Sequence, residues 1–183
     1  MIRCLCCNKE IPDPDEYEEK SLWHRKCIRN FFGKIVLPEI DISEREIEKL
    51  ANTAVSKGLT IPGVQKKLSL HLDGEDGAYR LTIKDYPTGY ILKPQSEEYT
   101  ALPEAEFLSM KLAELAGIRT VPNALLLLNG RYAYITKRVD RKENMVYAME
   151  DFCQLSERIT ADKYKGSYEN AGSIIKKYSK TSQ

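Results

Sequence analysis

Apolar positions along the chain follow two periods, about 3.6 and 2, and each change of period marks a new element. In "SEREIEKLANTAVSKG", residues 43–58, Ile47, Leu50, Ala51 and Ala54 recur at helical spacing. Ser43 and Glu46 form an S-x-x-E capping box before them, and Gly58 is a natural stop. "KKLSLHLD" then alternates, with Leu68, Leu70 and Leu72 on one face. After the turn "GEDG", "AYRLTIK" puts Tyr79, Leu81 and Ile83 on one face, and after "YPTG" comes a third strand, "YILKP". Strands joined by such short turns predict an antiparallel sheet.

The period returns to 3.6 in "LPEAEFLSMKLAELAG". Pro103 suits the first turn of this helix and Gly117 its end, with Leu108, Leu112 and Leu115 as the main apolar stripe. "TVPNALLLLNGRYAYITKRV" predicts two strands around an Asn129–Gly130 turn. The last pattern, "SYENAGSIIKKYSK", predicts a helix with Ala171, Ile174, Ile175 and Tyr178 on one face. The class is therefore α+β, an antiparallel sheet with helices packed on it.

Composition narrows the setting. The chain is 42% hydrophobic, enough for a real core, and its 28 basic and 27 acidic residues leave a net charge of +1. That balance gives no global field for nucleic acid. No stretch approaches the roughly 18 uninterrupted apolar residues of a membrane span. "MIRCLCCNKE" lacks the apolar core of a signal peptide, so a cytoplasmic location is expected. There, cysteines are expected as thiols or metal ligands.

Four of the five cysteines fall in the first 27 residues. Cys4-x2-Cys7 and His24-x2-Cys27 are two short-spaced pairs, the pattern that supplies four S/N ligands to a structural zinc. Cys6 could replace Cys4 or Cys7, and reduced thiols on an exposed tail are the alternative to a metal site. The acidic, proline-broken stretch between the pairs reads as a loop. "HRKCIRNFFG" reads as the helix carrying the second pair, with Gly33 after its end. "KIVLPEIDI" follows as an extended link.

"GLTIPGVQKK" connects the first long helix to the sheet. Gly58 and Gly63 followed by two lysines could hold a phosphate, although the stretch is neither a Walker A motif nor G-x-G-x-x-G. The alternative is a plain connection whose lysines sit at a strand edge. Lys93 ends the third strand, and Glu106 in the next helix could pair with it. Strand lysine with helix glutamate is how protein kinases hold the α/β-phosphates. On a helical wheel, however, Glu106 lies nearly opposite the leucine stripe, where it could simply be solvated.

Taken together, "TIPGVQKKLSL", "YILKPQ", "LPEAEFLSMKLAELAGI", "ITKRVDR" and "MEDFCQL…KYKGSYE" resemble, in order, segments of HipA-like serine/threonine kinases, which include toxins of bacterial toxin–antitoxin systems. The resemblance covers roughly residues 55–180. It implies a kinase N-lobe preceded by a zinc-knuckle-like module. The expected divisions are a Cys/His module at 1–33, a linker and helix at 34–57, an N-lobe-like domain with hinge at 58–141, and the start of a C-lobe at 142–183. The family's ATP loop would be Pro62, Gly63, Val64, Gln65, Lys66 and Lys67, its phosphate-contacting lysine Lys93, and its adenine-contacting hinge Lys137, Arg138 and Val139. The autophosphorylation position would be Thr60. Pro62 stands where some members carry a second phosphorylated serine, so no two-site switch is expected.

One departure from the family pattern stands out. HipA-like kinases carry a catalytic aspartate in a D-x-H-x-K-N loop and a second, metal-binding aspartate beyond it. Neither motif occurs in this sequence, whose two histidines are His24 and His71. Phosphoryl transfer needs a positioned hydroxyl and metal ions bridging the phosphates. The resemblance therefore implies an ATP-recognising N-terminal part that is inactive alone, with weak or absent ATP binding. ATP, magnesium and a protein substrate would belong to the complete kinase. Expected partners are a DNA-binding antitoxin of the HipB type or a separately encoded missing subdomain. The competing reading is a non-enzymatic zinc-containing interaction module. Direct DNA binding through "WHRKCIRN" ranks below both because the chain is near neutral.

Overall fold

The computed structural model describes residues 1–40, 67–75, 77–83, 89–96, 98–142, 145–163 and 165–180. The helix expected at 43–58, the position Thr60 and the loop Pro62–Lys66 lie outside the described residues. Among the described residues no helix is long and apolar enough to cross a membrane.

The centre is a five-stranded antiparallel sheet, ordered β2-β1-β3-β5-β4. Its strands are β1 (Leu68–Asp73), β2 (Arg80–Ile83), β3 (Tyr90–Lys93), β4 (Asn123–Leu128) and β5 (Arg131–Lys137). The period-2 pattern sets the register, because a one-residue slip would turn every apolar side chain to the other face. Leu68 pairs with Leu92, and Leu70 with Tyr90. Leu68, Leu70 and Leu92 are all buried. Asn129 and Gly130 close the β4–β5 hairpin with φ of 50° and 79°, the two positive values of a primed turn. After β1, Gly74 has φ +109°, and a Cβ there would meet the Ala78 carbonyl oxygen at 2.1 Å, so this turn requires glycine.

The N-terminal 40 residues cover one face of this sheet. A tight turn bridges Arg3 to Glu10 and carries the first cysteine pair. The stretch expected as a loop contains a short helix, α1 (Glu16–Ser21). It forms because Asp15 caps it, accepting the Glu18 amide, and also receives the Arg25 guanidinium. Helix α2 (Arg25–Phe32) ends at Gly33 as expected. Trp23, Phe31, Phe32 and Tyr90 form an aromatic cluster with ring centroids 4.8–6.0 Å apart, joining α2 to β3. The Leu5 carbonyl accepts the Leu125 amide at 2.8 Å, which covers the open edge of β4. One hydrophobic core therefore runs from Cys4 to Ile135 across both parts.

Helix α3 (Leu102–Leu115) packs on β4 and β5 from the other side. The stripe expected as its main apolar face is its outer face: Leu108, Leu112 and Leu115 are 54%, 57% and 85% exposed. The helix instead buries Pro103 and Phe107, with Met110 partly covered. This rotation puts the aromatic ring of Phe107 into the core and Glu106 beside Lys93 on β3.

Beyond β5 the chain forms a small hairpin, β6 (Arg141–Lys142) with β7 (Met145–Val146). Then come α4 (Phe152–Leu155), a 3₁₀ turn at Thr160–Asp162, and α5 (Tyr168–Tyr178). Of the face predicted for this last helix, Ile174 is buried while Ile175 and Tyr178 are half exposed.

Candidate functional site

Two sites stand on opposite faces of the sheet. The first is the cysteine cluster. Cys4 and Cys7 lie on the N-terminal turn, His24 holds the N-cap position of α2 without a side-chain capping bond, and Cys27 sits in its first turn, so the turn and the start of the helix converge. The ligand atoms of Cys4, Cys7, His24 and Cys27 all lie within 4.8 Å of one another. His24 Nδ1 is 3.5 Å from the Cys7 sulfur and 3.7 Å from that of Cys27. Its Nε2 is 3.1 Å from the Glu10 carbonyl oxygen. A proton on Nε2, donated to that carbonyl, leaves the Nδ1 lone pair facing the thiols, the second-sphere arrangement usual for a metal-bound histidine. The Cys4 thiol is pushed up to about 12 by its hydrogen bond with Cys27, then by burial. These four soft donors can bind a metal ion, whose arrival would displace the thiol protons. Cys6, which the spacing left as an alternative, is outside the four-donor group.

The second site is on the face that carries α3. Side chains alternate along β3, so Tyr90 and Leu92 face the N-terminal module while Lys93 faces the helix. Lys93 forms an ion pair with Glu106. Its ammonium also lies 5.4 Å from the centroid of Tyr134, its cross-strand partner. The β1–β3 register pairs Leu68 with Leu92, so Lys67, one residue earlier, falls level with Lys93 and on the same face. Lys67 is half buried, and its ammonium is lowered to about 8 by burial first, then by the positive charges of Lys93 and Lys163. The negative charges of Asp151 and Glu106 act in the opposite sense.

The three expected hinge residues divide. Lys137 pairs with Tyr90 and shares its face, so its side chain turns away from Lys93. Its ammonium donates to the Asn30 carbonyl at 3.4 Å and lies over the Phe31 ring. The Arg138 amide donates to the Gly89 carbonyl. The Arg138 side chain grips Asp140 through two bonds, 2.9 and 2.6 Å, and approaches Ser69 at 3.5 Å. Val139 is 60% exposed. Arg141 adds a third bond to Asp140, at 2.6 Å. The Arg138 side-chain bonds hold the Asp140 carboxyl below the usual range. Removing this buried carboxylate would leave two guanidinium groups facing each other. Asp140→Ala is therefore expected to cost about 3–5 kcal/mol of stability, read by urea denaturation. An unchanged midpoint would show that the triad does not support the fold.

Asp151 and Lys163, an ion pair in the segment after the hairpin whose charges act on Lys67, were not singled out by sequence reasoning. "DFCQ" at 151–154 does carry a readable signal, since Asp151 and Gln154 form a capping box. The partnership of Asp151 with Lys163 depends on the fold and has no local signature.

Residues 59–183 match the HipA-like C-terminal domain. The chain belongs to this family. It is 30% identical over 132 residues to "Putative kinase Y4dM" of Sinorhizobium fredii, covering 63% of the chain and 32% of that protein. It is 29% identical over 109 residues to "Putative kinase" of Haemophilus influenzae, covering 57% of the chain and 30% of that protein. The chain thus spans about a third of the length of these relatives. The HipA-like match includes the lysine site and β1 to β5, while the cysteine cluster lies before it.

Proposed function

We propose that this chain is the ATP-recognising part of a HipA-like serine/threonine kinase, carrying a structural zinc site. The observation that carries the reading is Lys93 paired with Glu106 beside Lys67, on one face of a five-stranded antiparallel sheet. A strand lysine held by a helix glutamate is the device with which protein kinases position the phosphates of ATP. Glu106 holds the Lys93 side chain in place through their ion pair, and Lys67 adds a second amine at the same level. In this reading the backbone at Arg138–Val139 borders the adenine, and the Arg138–Asp140–Arg141 triad keeps that crossing rigid. Lys137 braces the hinge against α2 from behind. ATP with magnesium would supply the transferable phosphoryl group. This chain's residues orient the phosphates, and the catalytic aspartates come from elsewhere. A DNA-binding antitoxin and a protein substrate belong to the complete kinase in this proposal.

The cysteine cluster fits zinc by its donor set and spacing. Tetrahedral bonds of about 2.3 Å to sulfur and about 2.05 Å to nitrogen give S···N separations of about 3.6 Å. The observed values are 3.5 and 3.7 Å. All four positions come from the protein, so the ion would be structural.

The test is equilibrium binding of ATP to the full chain. Binding in the millimolar range with no phosphoryl transfer is expected; absence of binding, or sustained turnover by the pure chain, would overturn the proposal. A non-enzymatic interaction module is the second reading, favoured by the exposed Leu108, Leu112 and Leu115 face. It requires that Lys93→Ala leave the activity of any complex containing this chain unchanged.

A further inference from the structure

Helix α3 buries Pro103 and Phe107 and turns Leu108, Leu112 and Leu115 outward. Apolar burial alone would favour a rotation that covers the three leucines. Two carboxylates on the sheet side oppose that rotation. Glu106 pairs with Lys93 near the start of the helix. Glu114 is bound at its last turn, about 12 Å further along the axis.

Glu114 gathers three donor groups. Its Oε1 accepts the Thr120 hydroxyl at 2.8 Å, the Lys111 ammonium at 3.1 Å and the Asn123 side-chain amide at 3.3 Å. Burial opposes its charge, but the bonds from Thr120, Lys111 and Asn123 prevail and hold the carboxyl below the usual range. Asn123 opens β4 and is only 3% exposed. Its nitrogen also donates to the Val121 carbonyl at 2.8 Å. Both of these neighbours are acceptors, which fixes the direction of the amide. Its Oδ1 meets no donor among the described residues. A buried amide left half satisfied costs stability, so stability does not account for an asparagine here.

The bonds continue into β5. Asn123 lies opposite Thr136. The Thr136 hydroxyl and the Lys137 amide both donate to the Pro122 carbonyl, at 2.8 and 3.0 Å. Arg138 follows directly. One network therefore joins the far end of α3 to the strand that leads into the expected hinge.

We propose that Glu114 and Asn123 are positioning residues for the nucleotide site, anchoring the second end of α3 so that Glu106 stays aligned with Lys93. This rests on the ATP-site reading above. Neither residue touches the ligand. When the Glu114 anchor is lost, the helix is free to roll toward covering its leucines, and Glu106 leaves Lys93. ATP affinity then falls with the fraction of chains that keep the aligned arrangement.

The experiment measures ATP dissociation constants of the full chain at low salt, with melting temperatures alongside. Glu114→Ala removes the acceptor at a partly exposed position and is expected to weaken ATP about fivefold, the loss of bonds to a charged group. Asn123→Asp keeps the shape but sets an acceptor against Glu114, and should weaken ATP at least as much. Adding Glu114→Gln to it places a donor opposite the new carboxylate and should restore most of the affinity. Failure of that pair to recover ATP binding would overturn the Glu114–Asn123 anchor. In the Lys93→Met background, Glu114→Ala should have no further effect, because the lysine that Glu106 aligns is gone. Equal losses in both backgrounds would show that Glu114 acts apart from Lys93, as a merely structural residue does, and overturn the inference. Unchanged ATP affinity in Glu114→Ala, with a loss in Lys93→Met, would overturn it too and leave the ATP-site reading standing. If Asn123→Asp does not fold, the two backgrounds of Glu114→Ala decide alone. If the unaltered chain does not bind ATP, the ATP-site reading falls and this inference falls with it.

Discussion

Cys7→Ser is expected to release zinc and lower the melting temperature of the whole chain by on the order of 10 °C or more. The effect should be large because the cluster does not sit on an independent appendage. Cys4 and Leu5 belong to the same core as Leu92 and Ile135. Leu5 also covers the edge of β4, and α2, which carries Cys27, stacks Phe31 and Phe32 on Tyr90. A structural zinc contributes folding free energy directly, since the unfolded chain holds no preformed site. For a chain of this size, 1 kcal/mol corresponds to about 2–4 °C, so losing even a modest part of that contribution gives the expected shift. Metal analysis should find one zinc per purified chain. Cys6→Ser and Cys153→Ser should both keep it, because neither thiol is among the four donors. Metal content far below one zinc per chain, or a Cys7→Ser melting temperature equal to that of the unaltered protein, would contradict the zinc assignment.

Lys93→Met is expected to weaken ATP binding at least tenfold, and the pH dependence should change with it. Lys67 titrates near pH 8 in the folded chain, below the ordinary lysine value, because burial and the charges of Lys93 and Lys163 disfavour its ammonium. Glu106 and Asp151 face it as the opposing charges. A base with a lowered pKa favours folding above its ordinary value and loses that contribution as pH falls through about 8. A bound polyphosphate acts the other way, stabilising the charged amine. ATP should therefore bind best below pH 8 and progressively less well as Lys67 becomes neutral above it. Removing the Lys93 charge takes away one repulsive neighbour, so this decline should move to higher pH in Lys93→Met. Affinity measured between pH 7 and 9.5 in both proteins checks the sign. A flat profile in the unaltered chain would show that Lys67 does not contact the ligand.

Much of the sheet was legible because its determinants are local. Alternation placed Leu68, Leu70 and Leu81 inside, and Asn129–Gly130 named its own turn. The helix rotation was not legible in the same way. Leu108, Leu112 and Leu115 form the better stripe by composition, but the face that is buried carries Pro103 and Phe107 and meets strands placed elsewhere in the chain. The same limit applies to the sites. Cysteine spacing announced a four-ligand cluster, and the donor atoms of Cys4, Cys7, His24 and Cys27 do converge, while Cys6 stands close enough to act on Cys27. Lys93 and Glu106 were legible as a pair because the strand end and the first turns of the helix are close in sequence. The pairing of Lys163 with Asp151 was not, since those two residues, twelve positions apart, share no local signature and meet only in the fold. The inner-face position of Lys137 follows from its register with Tyr90, which a single strand pattern does not reveal.

The most direct test of the account is a site-resolved titration of the full chain with magnesium ATP, followed by nitrogen–proton correlation spectra. The account predicts shifts centred on Gly63–Ser69, Lys93, Glu106 and Arg138–Asp140, saturating in the millimolar range and lost in Lys93→Met. No shifts up to about 10 mM ATP, or shifts centred elsewhere, would contradict it.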